Sequence, residues 1–186
     1  MQKNNMTNKA QHALDVKTDP QYKRISDRDL KTAAQFALLE AGGWDDAVSV
    51  LQQYDKKFDC QTCVMAMYSI ELYLKAILMA KGINVTVNTK HHDIDDLFNK
   101  LSDSEQQKIK EGIIPSGIDL YDLMGDYIKL DTFESELAFI SKDFVQLRYQ
   151  YEKYMNGEPI YILQDFIIAL RNNVRKLAKG IVYSEK

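Results

Sequence analysis

Apolar residues recur at helical spacing along most of the chain. Leu30, Ala33, Ala34, Ala37, Leu38 and Ala41 stand three and four apart behind Ser26 or Asp27, either of which suits a helix N-cap, so a helix is predicted through Glu40. Gly42-Gly43 is expected to end it, and a second helix is expected from about Asp45 to Tyr54, burying Ala47, Val48 and Leu51. From about Asp59 to Lys81 the residues are apolar on almost every side, the pattern of a helix enclosed by others, which places this segment at the centre of a bundle. Gly82 stops it. Ile83 to Asn88 alternates like a strand without a second strand to pair with, so an extended connection is expected there. Asp93 then opens a short helix to Leu101, and Ser102 caps another through about Glu111, with Glu105 completing a capping box.

From Gly112 to Leu130 the periodicity weakens around Pro115, Gly117 and Gly125, and the expectation is a loop carrying a short helix near Leu120, Leu123 and Met124. Asp131 with Glu134 forms a second capping-box pattern, after which Phe133, Leu137, Ile140, Phe144, Leu147, Tyr151 and Tyr154 mark a long amphipathic helix. Asn156-Gly157 ends it, and Leu163, Phe166, Ile167, Leu170, Val174, Leu177 and Ile181 mark the last helix, with Pro159 near its start. The short turn between these two helices implies that they pack antiparallel. Residues 1–25 contain few large apolar side chains and read as a loosely docked arm, leaving a single domain over 26–182. The expected fold is all-α: an antiparallel bundle of about four or five main helices, with short helices between residues 93 and 130.

A length of 186 residues with 45% apolar content suits one well-buried core. Basic and acidic residues number 24 and 27, a net charge of −3, so no global positive field favours nucleic acid and any such contact needs a local patch. Arg171, Arg175, Lys176 and Lys179 on the last helix supply the best one, although such residues usually form a solvated face. The run from Val64 to Ala80 contains Glu71 and Lys75 and falls short of the ~20 residues that span a bilayer, which favours a core helix over a membrane segment. With a polar, signal-free start, the chain is expected in the cytoplasm. Cys60 and Cys63 have the spacing of a redox pair, and His91 and His92 could complete a zinc set, but buried structural thiols are the expected reading. Asp119, Asp122 and Asp126 lack the glycine and spacing of a calcium loop, and no phosphate-cradling loop or H-E-x-x-H occurs, so no metal or cofactor is expected.

Glu71 and Lys75 interrupt the most apolar helix at the favourable i, i+4 order. Either both occupy the one water-facing edge of that helix, or they stand buried beside a functional cleft. Glu71-Leu72-Tyr73-Leu74-Lys75-Ala76, followed after a loop by His92-Asp93-Ile94 and Leu97, resembles the HEPN pattern of an E-x-x-x-K-A helix and an H-D-L-x-x-L helix start. His92 then staples the loop and Asp93 acts as an N-cap. The resemblance extends over roughly residues 30–180 and implies a helical bundle associated with RNA or nucleotides, commonly a homodimer.

HEPN nucleases also carry R-x4-6-H, whose arginine and histidine from both protomers cleave RNA. Arg148 matches the arginine, but Lys153, Tyr154 and Met155 stand where the histidine would be, and the usual general acid/base is absent from this helix. Arg148, Tyr149, Tyr151 and Glu152 form either an exposed ion pair beside a core tyrosine or a site in which the guanidinium holds a phosphate and the rings stack a base. With Glu71, Lys75 and Tyr154 they are the candidate ligand-binding set. The resemblance implies a nucleotide- or RNA-binding module, dimeric through the Arg148 helix and without efficient catalysis, within a defence or toxin–antitoxin-type system. Two alternatives stand beside it: a metal-independent ribonuclease using Arg148 with non-histidine partners, and a structural partner of a nucleotidyltransferase, for which Tyr154 would be the loosely matching modified tyrosine.

Overall fold

A computed structural model of the chain describes residues 26–53, 59–85, 93–121, 127–147 and 163–184. Among them are six helices and one hairpin: α1 (Asp27–Leu51), α2 (Asp59–Ala80), α3 (Ile94–Asn99), α4 (Asp103–Lys110), β1 (Ile118–Tyr121), β2 (Tyr127–Leu130), α5 (Phe133–Leu147) and α6 (Gln164–Tyr183). The fold is all-α in class, with α2 at its centre packed chiefly against α1 and α6 and more lightly against α3 and α5.

The first two expected helices are one. Ser26 caps α1, its hydroxyl accepting from Asp29 N at 3.2 Å, and the helix runs without interruption through Gly42-Gly43 to Leu51. Neither glycine adopts positive φ. Leu38 and Ala41 before them and Asp45 and Val48 after them are all buried, so packing on both sides overrides a local penalty of roughly 1 kcal/mol per glycine relative to alanine.

α2 buries Cys63, Ala66, Met67, Ile70, Tyr73, Leu74 and most of the residues up to Met79. The stretch Gln61–Ala80, 20 residues, is by length and composition apolar enough to cross a membrane, three residues longer than the run expected, but 67% of its most apolar window is buried inside the bundle, as suits a core helix. Gly82, at φ 80°, ends it: Gly82 N donates to Met79 O at 3.0 Å and Ile83 N to Leu78 O at 2.9 Å, the two bonds of a Schellman cap. Cys63 is buried as expected, and the side chain of Cys60 lies outside the described residues, as do His91 and His92.

The short helices form where their caps are. Asp93 Oδ1 accepts from Asp95 N at 3.0 Å and from Asp96 N at 3.3 Å, opening α3. Ser141 of α5 donates to the same oxygen and accepts from Asp95 N at 3.0 Å, so this one carboxylate also fixes α5 against the start of α3. Desolvation, helped by neighbouring Asp93, raises the Asp95 carboxyl above its usual range.

At α4, Glu105 Oε2 accepts from Ser102 N at 2.9 Å and from Lys81 Nζ at 2.6 Å, which ties the end of α2 to the start of α4. Burial alone would raise the Glu105 pKa, but the hydrogen bonds from Lys81 and Ser102 outweigh it and hold the carboxyl below its ordinary 4.5. A depressed carboxylate stabilises the fold above its unfolded pKa and loses that contribution as pH falls through the folded one. The stability difference between the native chain and Glu105→Gln should therefore be constant near neutrality and shrink as pH drops below about 4.5. Denaturation series at several pH values measure this, and a pH-independent difference would remove the linkage.

Between α4 and α5 the expected short helix is instead a hairpin. β1 and β2 pair antiparallel with Ile118 opposite Leu130 and Tyr121 opposite Tyr127, and Leu120 and Leu130 are its buried positions. Gly117, at φ 66°, supplies the turn into β1. Leu123 and Met124 lie outside the described residues. The cap of α5 is also one residue later than the Asp131–Glu134 pattern suggests: Thr132 Oγ1 accepts from Ser135 N at 3.1 Å and Thr132 N donates to Ser135 Oγ at 3.1 Å. Asp131 pairs with Lys129 and Glu134 with Lys110 instead. Phe98 of α3, Phe133 of α5 and Phe166 of α6 meet in series, with centroids 5.2 and 5.4 Å apart.

Candidate functional site

Glu71 and Lys75 face each other along α2, one turn apart, with Nζ 2.6 Å from Oε1. Their side chains are 4% and 17% exposed, so Glu71 is buried and Lys75 stands half-buried beside it. Around it runs the least covered stripe of the central helix, where Val64, Tyr68, Leu72 and Lys75 are half-buried at i, i+4, i+8 and i+11. Trp44 of α1 stacks on Tyr68 with centroids 5.3 Å apart and planes 16° from parallel. The continuous α1 makes this contact, because a break at Gly42-Gly43 would free Trp44 from the helix that carries it. A buried ion pair next to a stacked indole and phenol is thus the feature of α2 that reaches toward the surface.

A second charged group was not legible as a site. Asp45 of α1, 2% exposed, accepts a 2.7 Å hydrogen bond from the Tyr73 hydroxyl of α2. Two arginines of α6 converge on it: Arg171 Nε lies 3.6 Å from Oδ1 and Arg175 Nε 3.2 Å from Oδ2. Burial, with Asp45 as hydrogen-bond acceptor, pushes the Tyr73 hydroxyl well above its ordinary range, so it remains a donor. Arg171 is 5% exposed and does not belong to a solvated basic face, as the sequence suggested; Lys176 and Lys179 do. The available signal was positional: Asp45 falls four after Ala41 and three before Val48, on the buried stripe of its helix, and Arg171 falls four after Ile167 and three before Val174.

A third charged position is Glu136 of α5, fully buried, whose Oε1 accepts from Ser116 N at 2.7 Å and from the Ser116 hydroxyl, which pins the segment leading into the hairpin. A groove of about 690 Å3 also opens between the end of α4 and α6, lined by Lys108, Glu111, Lys176, Leu177, Gly180 and Ile181. Its origin is a mismatch of length: eight residues of α4 cover only part of a 20-residue α6. Asn173 closes one end by donating to Ile109 O in the last turn of α4 at 2.8 Å and to Glu111 O just beyond it at 2.9 Å.

Of the residues expected to bind a ligand, Glu71 and Lys75 are brought together. Arg148, Tyr149, Tyr151, Glu152 and Tyr154 lie outside the described residues. Helix α5, which precedes them in the chain, is held by the Ser141–Asp93 bond and by the aromatic contact of Phe133.

A family model described as HEPN domain matches residues 54–159, more than half of the chain. The matched span begins after α1, includes α2 to α5 with both halves of the E-x-x-x-K-A and H-D patterns, and ends before α6. No curated protein and no solved structure matches the chain.

Proposed function

Because the chain belongs to the HEPN domain family, we propose that it is a nucleotide- or RNA-associated binding module, a cytoplasmic homodimer without efficient catalysis that serves in a defence or toxin–antitoxin-type system. The observation that carries this reading is the family match itself, which spans the Glu71–Lys75 helix, the Asp93 cap and Arg148 in one continuous segment. Two features support the non-catalytic part. Lys75 is already closed on Glu71 at 2.6 Å in a largely buried pair, which suits a structural role better than proton transfer to a substrate. No histidine follows His92 in the chain, so the sequence after Leu147 supplies arginine and tyrosines without the usual proton carrier near neutral pH.

Arg148 is assigned the anion contact and Tyr149 or Tyr151 the stacking contact. Fluorescence anisotropy with a labelled single-stranded RNA, and titration with nucleotides, tests the assignment. Arg148→Ala should weaken binding by about tenfold or more, the scale of one charge-assisted hydrogen bond, while Arg148→Lys recovers part of the loss. Equal binding by native chain and Arg148→Ala would remove Arg148 from the site. Cleavage of the RNA by the native chain, abolished in Arg148→Ala, would replace the binding module with a ribonuclease.

A further inference from the structure

Arg171, Arg175 and Lys179 stand at i, i+4 and i+8 on α6 and so share one stripe. The stripe climbs from core to surface: Arg171 is 5% exposed, the Arg175 side chain is 40% exposed, and Lys179 is exposed. Among the described residues, a single acid, Asp45, stands opposite it. Among the described residues, the charged groups acting on the Tyr73 phenol at the centre of this cluster are Asp45, Arg175 and Arg171, one negative against two positive. Tyr73 cannot redress the balance, since it donates its proton to Asp45 in a hydrogen bond and stays neutral.

The hydrogen bonding is also incomplete, for Asp45 Oδ1 as well as for the cations. Arg171 Nη2 donates to Asn172 at 3.1 Å, but its Nε and Nη1 have no hydrogen-bond partner among the described residues. Arg175 approaches Asp45 through Nε, and neither its terminal nitrogens nor Lys179 bond to any other described residue. Among the described residues the cluster thus carries a net positive charge that falls on the partly exposed Arg175, whose guanidinium fork is half open, with the Lys179 ammonium one turn away.

We infer that Arg175 and Lys179 form a binding site for a phosphate-type oxyanion, with Arg171 as the buried positioning residue behind them. The guanidinium fork matches two oxygens of a tetrahedral anion, and Lys179 supplies a second, mobile charge to a third. Arg171 does not touch the ligand; it shares Asp45, so that Asp45 neutralises Arg175 only in part. A dianion balances the surplus charge of the cluster together with that of Lys179. The site goes beyond the proposed function and does not rest on it: α6 lies outside the matched span and the site uses none of the residues assigned to RNA there. Free phosphate, a nucleotide monoester and an RNA backbone all present this chemistry.

Thermal shift of the full chain with sodium phosphate against sodium chloride at equal ionic strength is the primary test, with adenosine monophosphate and a short single-stranded RNA as further probes. A phosphate-specific rise in Tm that is lost in Arg175→Gln and in Lys179→Gln, but kept in Arg148→Ala, is the expected result. Whichever probes give the Arg175-dependent shift name the source of the anion. Asp45→Asn should lower the Tm of the free protein yet enlarge the phosphate shift, because the arginines lose the counter-charge they share; a merely structural cluster would show the first effect without the second. Should Asp45→Asn fail to fold, Lys179→Gln decides, since Lys179 is exposed. No phosphate-specific shift with any probe, or a shift that survives Arg175→Gln, overturns the site.

Discussion

Asp45→Ala should destabilise the domain by about 3–5 kcal/mol, the range for removing one partner from a buried ion pair. The loss has three parts. The Tyr73 hydroxyl, fully buried, loses its acceptor at 2.7 Å; Arg171, 5% exposed, loses Asp45 as counter-ion; and Arg175 loses its partner at 3.2 Å. Arg175 contributes least, because its side chain is 40% exposed and water screens it. Urea denaturation of the native chain and the variant gives the difference directly. A paired substitution of Asp45 and Arg171 by apolar residues of similar size should recover much of it, since the penalty belongs to the abandoned cation more than to the missing bond. A loss below about 1 kcal/mol would mean that solvent reaches the cluster and that the three helices are held by apolar packing alone.

Phe98→Ala should cost a similar amount, about 3–5 kcal/mol, for a different reason. Phe98 is 2% exposed, and its ring joins α3 to α5 through Phe133, which in turn meets Phe166 of α6. Lys110 Nζ lies 5.7 Å from the Phe98 centroid and 5.4 Å from that of Phe133, so the cation covers both rings. Deleting the ring leaves a void beneath a charged group and separates α3 from the rest of the series. Phe98→Leu, which keeps most of the volume, should recover more than half of the loss. Both comparisons are read from denaturant midpoints at unchanged slope, and a Phe98→Ala loss near 1 kcal/mol would show that α3 contributes little to the cooperative core.

Periodicity was informative where one residue type repeats. The all-round apolar pattern of α2 placed it at the centre, and the capping residues Asp93 and Ser102 placed α3 and α4. It misled where tertiary packing decides. Gly42-Gly43 is a local stop signal, but Ala41 and Asp45 are buried on either side of it and the helix continues. The hairpin escaped because each strand has four residues and buries few of them, so Ile118-Asp119-Leu120-Tyr121 carries too short an alternation to stand out between Pro115 and Gly125. At the candidate site, the i, i+4 spacing of Glu71 and Lys75 predicted their pairing, and the apolar helix around them allowed their burial. The Asp45–Arg171–Arg175 cluster could not be read in that way. It joins helices distant in sequence, and no local spacing records which acid meets which base.

That distance has a kinetic side. Asp45 stands on the first described helix and its arginines on the last, so their contact closes a loop that contains most of the chain. Contacts across such loops form after the nearer ones, because the chain entropy of closure must be met first. An interaction made after the folding barrier changes the rate of escape more than the rate of arrival. The cluster therefore acts as a latch, and its removal should speed unfolding while leaving refolding almost unchanged.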